Sequence, residues 1–206
     1  MRLSLITAPV NEPLMLEEVK EHLRVTVDDD DSYIHALIHA AIDHLDGRDG
    51  RLGRALITQT WQLELDEFPW SWPRIILPLP PLQSIVSVTY VDAGGVWAGS
   101  PPSLPYSTMA AGDYIIDTTS RFGQIVLRSD KSWPGTRAEY GAVRVKFVAG
   151  YGDDGEDIPM PIRQAMYLLI GHWYEHREEV VVGQPVAPLP MAVDALLGPY
   201  EVVTFA

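Results

Sequence analysis

Cysteine is missing from all 206 residues. Disulfides, thiolate nucleophiles and cysteine-based zinc sites are therefore out of reach. Positive charge is scarce: 15 Lys and Arg face 28 Asp and Glu, for a net charge of −13. So acidic a chain does not wrap DNA or coat an anionic membrane by bulk charge, since phosphate binding needs a local cationic excess. No apolar run approaches the roughly 20 residues that span a bilayer. Residues Met1 to Pro9 are too few and too polar for a signal peptide, so the chain reads as soluble and made in a cytoplasm. What is present suits a folded chain. At 47% hydrophobic and 21% charged it is no disordered polymer, and its length fits one domain or a small domain with an insertion.

Three zones follow from the hydrophobic periodicity. Residues 1–57 read as the N-terminal helical part of a core. Pro9, Asn11 and Pro13 make an entry loop, and Leu16, Val19, Lys20 and Leu23 recur at helical spacing. Glu17 and Glu18 fall early in that helix, where the backbone dipole favours anions. After the acidic break Asp28 to Asp31, residues Ile34, Leu37, Ile38, Ala41 and Leu45 mark one face of a second helix, with a capping Ser or Asp at its start and Gly47 and Gly50 at its end.

Residues 58–157 change period and read as an inserted β module. Trp61, Leu63 and Leu65 alternate with polar residues, as in a half-buried strand. The β-branched run Ile85 to Val91 ends at Asp92-Ala93-Gly94-Gly95, a plausible hairpin turn. Shorter strands are expected near Tyr114–Ile116, Gln124–Leu127 and Val143–Ala149, in a small antiparallel sheet or barrel. Residues 158–179 return to a core helix, with Ile162, Ala165, Met166, Leu169, Trp173 and Arg177 on one face and Tyr167, Ile170 and Tyr174 broadening it. Residues 180–206 hold four prolines and no Lys or Arg. They read as an extended tail with one helical turn near Ala192–Leu197, suited to partner binding. The fold class is α+β: two N-terminal helices plus a long C-terminal helix, an inserted antiparallel β module and a tail.

Four motifs invite a chemical reading. His172-Trp173-Tyr174-Glu175-His176 fits the H-x-x-E-H pattern of inverted zinc peptidases, because His at i and i+4 share a helical face. A third ligand is wanting, so a metal-dependent hydrolase is kept only as the alternative. His35 and His39 repeat that spacing, with Asp43 a turn further, and read as a solvated face that a structural metal could use. Gly150-Tyr151-Gly152-Asp153-Asp154-Gly155 matches G-x-G-x-x-G, but its acids repel a pyrophosphate and it reads as a flexible acidic turn. Asp28-x-Asp30-x-Ser32 opens like a calcium loop, yet Tyr33 and His39 stand where Gly and Glu belong. No catalytic residue, cofactor or resident metal is called for. Trp70, Trp72 and Trp97, set among Pro and Gly, are divided between packing and interface anchoring.

Several segments in order carry a family resemblance. They are Arg51 to Trp61, Leu79-Pro80-Pro81-Leu82-Gln83-Ser84-Ile85 running into Val88 to Asp92, Val148-Ala149-Gly150-Tyr151-Gly152 before Ile158-Pro159, and Gln164-Ala165 leading to His172 through Glu178. This series resembles the head–tail connector (adaptor) proteins of long-tailed bacteriophages and phage-derived gene transfer agents. His176 stands where Asn is expected, and the tail beyond Val180 is not covered.

The resemblance implies a virion structural protein with no catalytic residues. It implies a homo-oligomeric ring of about twelve identical subunits in the particle neck, seated between the portal protein and a stopper or head-completion protein. Its parts would be made in the bacterial cytoplasm. Trp173 and Tyr174 would pack in the helical core, with Glu175, Arg177 and Glu178 in polar contacts at the helix end. Outside the resemblance, the apolar residues Val186, Leu189, Leu196, Leu197, Tyr200, Val202, Val203 and Phe205 make the tail the expected portal-binding arm, filling pockets or adding a strand to a partner sheet. The net charge is −5 over residues 1–57, −5 over 58–157 and −3 over 158–206, so acidity is spread. An acidic lumen would let DNA slide without gripping it. Asp28, Asp29, Asp30, Asp31, Glu64, Asp66 and Glu67 are the expected lumen acids.

Overall fold

The computed structural model describes residues 1–94, 106–137, 139–176 and 191–202. Backbone contacts divide the chain into two units, each assembled from two separate stretches. One comprises Met1–Pro9 and Thr58–Gly150, the other Val10–Ile57 and Tyr151–Ala206.

The first unit is built of antiparallel strands. Its larger sheet has five strands in the order β1 (Arg2–Thr7), β2 (Gln59–Leu65), β8 (Val143–Ala149), β4 (Leu82–Val91) and β5 (Tyr106–Thr108). Central β8 alternates strictly between buried and half-buried positions, as the two-residue pleat of a one-sided sheet requires. Val143, Val145, Phe147 and Ala149 point inward. They stand beside Trp61 and Leu63 of β2 and Val88 of β4, all buried. A second sheet has the order β3 (Arg74–Ile76), β7 (Gln124–Leu127), β6 (Tyr114–Asp117).

Here the structure corrects parts of the sequence reading. Residues 2–7 are a strand rather than part of the helical core, paired with β2 in the register Arg2↔Glu64 to Thr7↔Thr60. Asp92 does not begin a tight hairpin. The next strand to pair with β4 starts at Tyr106, while Asp92 bridges Thr136 and its Oδ1 accepts the Gly94 N–H at 2.9 Å.

The second unit is helical. Helix α1 (Leu16–Leu23) ends where Arg24 turns left-handed at φ 59°, and its only fully buried residue is Val19. Helix α2 (Asp31–Leu45) buries Ile34, Ile38, Ala41 and Leu45, on the face the periodicity marks. No side chain caps it: Asp30 holds the cap position without a side-chain hydrogen bond to the helix. Helix α3 (Met160–Glu175) is covered nearly all round, with Ile162, Ala165, Met166, Leu169 and Ile170 buried. Helix α4 (Met191–Leu197) lays Val193 and Leu197, both fully buried, into the same core.

The tail is therefore not extended over 191–202. Arg51 pairs with Asp194 at 2.8 Å and with Glu201 at 2.7 Å, and the Val202 N–H donates to the Leu52 carbonyl at 3.0 Å. The acidic turn between strand and helix is not slack either. A Cβ on Gly152 would lie 2.0 Å from an Asp157 carboxylate oxygen, and one on Gly155 would lie 2.3 Å from the Pro13 carbonyl oxygen. These glycines stand where the backbone is approached too closely for any side chain, which accounts for the G-x-G-x-x-G pattern without a nucleotide. No helix among the described residues is long and apolar enough to cross a membrane.

Candidate functional site

In the β unit the chain between β2 and β3 gathers aromatic rings. Phe68 stacks on Trp133 with centroids 4.7 Å apart and planes 8° off parallel, and it tilts against Tyr90 at 5.9 Å. Trp133 donates its indole N–H to the Trp72 carbonyl at 3.2 Å, and the Arg74 guanidinium lies 4.9 Å above the Trp72 ring. These contacts frame an open groove of about 690 Å³ lined by Phe68, Trp70, Trp72, Pro73, Trp133 and Pro134, among others. Trp70 is 89% exposed and Trp72 58%, so neither is a core residue. Large exposed indoles beside a concave surface mark a place where a partner gains binding energy. Trp97 lies outside the described residues.

The motif on α3 builds packing. Trp173 and Tyr174 are half-buried against the helical core. The Tyr174 hydroxyl donates to Asp30 at 2.6 Å, the Tyr33 hydroxyl donates to the Trp173 carbonyl at 3.3 Å, and Trp173 meets His44 edge-on. Glu175 ends the helix exposed to solvent, while Arg177 and Glu178 lie outside the described residues. His176 Nδ1 is 3.0 Å from the His172 carbonyl, and the two rings sit 4.6 Å apart. Among the described residues no third ligand joins them.

The expected lumen acids fall into two groups. In the helical unit, Lys20 bridges Asp28 at 2.7 Å and Asp31 at 2.6 Å, which holds the Asp28 carboxyl below its ordinary pKa. Asp29 is exposed, and Asp30 accepts from Tyr174. In the β unit, Glu64 lies between Arg2 at 3.2 Å and Arg144 at 3.1 Å. Asp66 accepts the Gly141 N–H at 2.8 Å and lies 3.4 Å from Arg2; the amide first, and the guanidinium with it, lowers its pKa. Glu67 accepts the Trp70 indole N–H at 3.1 Å. Most of these acids thus have a local cation or donor; for Asp30, Glu64 and Asp66 the partner is distant in sequence, where periodicity gives no hint of it.

The supposed arm is divided. Leu197 is buried, Leu196 and Tyr200 are half-buried against the chain's own helical core, and Val202 is half-buried. The Tyr200 carbonyl accepts from the Arg54 guanidinium. Val186, Leu189, Val203 and Phe205 lie outside the described residues. The sequence reading missed two features. Buried Arg163 donates to Glu18 at 2.7 Å and ties α3 to α1. Glu12 reaches both His35 and His39, so the third group beside that histidine pair is Glu12 rather than Asp43.

Residues 13–71 match the family model described as phage gp6-like head-tail connector protein. Over its whole length the chain is similar to a chain in a structure described as the neck of an empty GTA particle computed with C6 symmetry. That match has a TM-score of 0.75 and 25% identity, and covers 100% of this chain and 98% of the other. A chain from the virion of a native gene transfer agent particle gives 0.75 and 24%, and one from the neck of a native GTA particle computed with C12 symmetry gives 0.68 and 24%, with the same coverage. No curated protein sequence matches the chain.

Proposed function

We propose, from the head–tail connector resemblance that both comparisons bear out, that this chain is a structural adaptor in the neck of a phage-like particle. The observation that carries the reading is the likeness to a neck chain over all of this sequence and 98% of that chain. Structures of such necks computed with sixfold and twelvefold symmetry support a multi-subunit ring. We take that ring to hold about twelve copies of this chain, in a closed cyclic arrangement of head-to-tail contacts.

In this reading the portal lies on one side of the ring and the stopper on the other. The Trp70 and Trp72 groove faces the stopper or the neighbouring subunit. The C-terminal segment faces the portal. Leu197 stays in the subunit's own core, so the contact falls to the exposed sides of 191–202 and to the residues flanking them. The acidic surplus lines the passage for DNA. Because Lys20, Arg2 and Arg144 neutralise Asp28, Asp31 and Glu64 locally, Asp29 and Glu67 carry more of the repulsion, and only charges within about 8–10 Å of the duplex count. The adaptor has no catalytic step.

The direct experiment is negative-stain imaging of the purified protein mixed with portal rings of the same particle. A second ring stacked coaxially on each portal is expected. Portals that stay bare at saturating protein would overturn the reading.

A further inference from the structure

Glu12, His35 and His39 form a cluster that the adaptor role does not use. His35 and His39 stand one turn apart on the exposed face of α2, their rings edge-on with centroids 4.7 Å apart. Glu12 comes from the loop before α1, and its Oε1 lies 3.5 Å from His35 Nε2 and 3.4 Å from His39 Nε2. All three ligand atoms lie within 4.8 Å of one another. Nitrogen and oxygen ligands about 2.0–2.1 Å from a tetrahedral zinc ion are separated from each other by about 3.4 Å. The two Glu12–histidine separations are close to that edge, so the carboxylate lies at ligand spacing from each imidazole.

The loop that presents Glu12 is anchored on both sides. The Asn11 side-chain amide donates to the Asp153 carbonyl and to Asp154, each at 3.1 Å. Leu14 is fully buried, and the Met15 N–H donates to Glu18 at 3.0 Å. The side chains are 35%, 48% and 55% exposed for Glu12, His35 and His39, open enough to admit an ion and leave it a coordination position facing solvent.

We infer that Glu12, His35 and His39 bind one divalent transition-metal ion, with zinc the best fit. Two imidazoles and one carboxylate suit zinc, cobalt or nickel, whereas magnesium and calcium prefer all-oxygen shells. The bound ion staples the entry loop to α2. This inference stands on the helical unit alone and is independent of the adaptor reading.

The test is isothermal titration of zinc chloride into the chelator-stripped full-length protein, with cobalt absorption reporting coordination geometry. One equivalent is expected to bind, with the visible bands of low-symmetry four- or five-coordinate cobalt and a higher unfolding temperature. E12A and H39A should each weaken affinity about tenfold or more, and H35A with H39A should abolish binding. H172A with H176A should leave it unchanged. Circular dichroism should be the same for E12A, H35A and H39A, whose side chains are each at least a third exposed, and is recorded for H172A with H176A to show that this control is folded. Absence of saturable binding, binding that survives H35A with H39A, or binding lost with H172A and H176A would each overturn the inference.

Discussion

Glu18 shows how a position assigned from local rules acquires a longer reach. Its place in the first turn of α1 suits the helix dipole, yet its Oε1 also receives the guanidinium of Arg163, which is only 8% exposed. Burial pushes the Glu18 pKa up, but the Met15 N–H and Arg163 outweigh it and hold the carboxyl below its ordinary value. E18Q should cost about 1–3 kcal/mol in urea unfolding, because a buried cation loses its counter-charge. R163M should cost less, since Glu18 is exposed enough to be rehydrated. Asp117 makes a second case. It accepts from the Ser120 and Thr119 hydroxyls and then from their amides, which lowers its pKa to about 2. Depression of an acid stabilises the fold at pH above the unfolded value near 4, and the gain is lost as pH falls through about 2. D117N should therefore unfold more easily than the parent at pH 7, with the gap closing toward pH 2 in thermal melts.

Helices and central strands were readable because their burial repeats at short range. The 3–4 spacing located α1, α2 and α3, and β-branched alternation located β7 and β8 with their observed ends. Strand β1 escaped because it lies at a sheet edge with four of its six residues exposed, so no inside-outside pattern marks it. Strands β3 and β5, three residues each, are too short to display a period. The helical turn near Ala192–Leu197 was foreseen, but its docking was not, since Arg51 lies more than a hundred positions from Asp194 and Glu201. Glu12 was hidden from the His35 and His39 pair because it lies in a different element, beyond the reach of helical spacing. Docking makes α4 a structural element: L197A should lose about 2–5 kcal/mol by the cavity it leaves. Removal of 183–206 should lower the unfolding temperature as well as affect assembly, so differential scanning calorimetry must accompany any truncation. G155A, with its methyl against the Pro13 carbonyl, should also destabilise, whereas G112A, which meets no atom within 4 Å, should not.

For the assembled particle, exposure separates contacts that fold the subunit from contacts that bind others. Trp70 and Trp72 are open to solvent, so W70A with W72A should shift stability by no more than about 0.5 kcal/mol. It should nonetheless weaken the next neck component's retention on portal–adaptor assemblies by tenfold or more, read by cosedimentation; unchanged retention would move the contact elsewhere. Composition argues against a nucleic-acid grip, and under the proposed role the paired state of Glu64, Asp28 and Asp31 leaves more of the repulsion to Asp29 and Glu67.

Because each unit draws on two stretches far apart in the chain, neither can close early during synthesis. Strand β1 leaves the ribosome long before its partner β2, and the apolar face of α2 waits for α3, which in turn waits for α4. A nascent chain halted anywhere before residue 197 still shows uncovered aliphatic surface of the kind chaperones and proteases recognise. A copy that includes Leu197 carries every buried residue of the helical core. The interleaved path thus ties closure of the helical core to synthesis of its last helix.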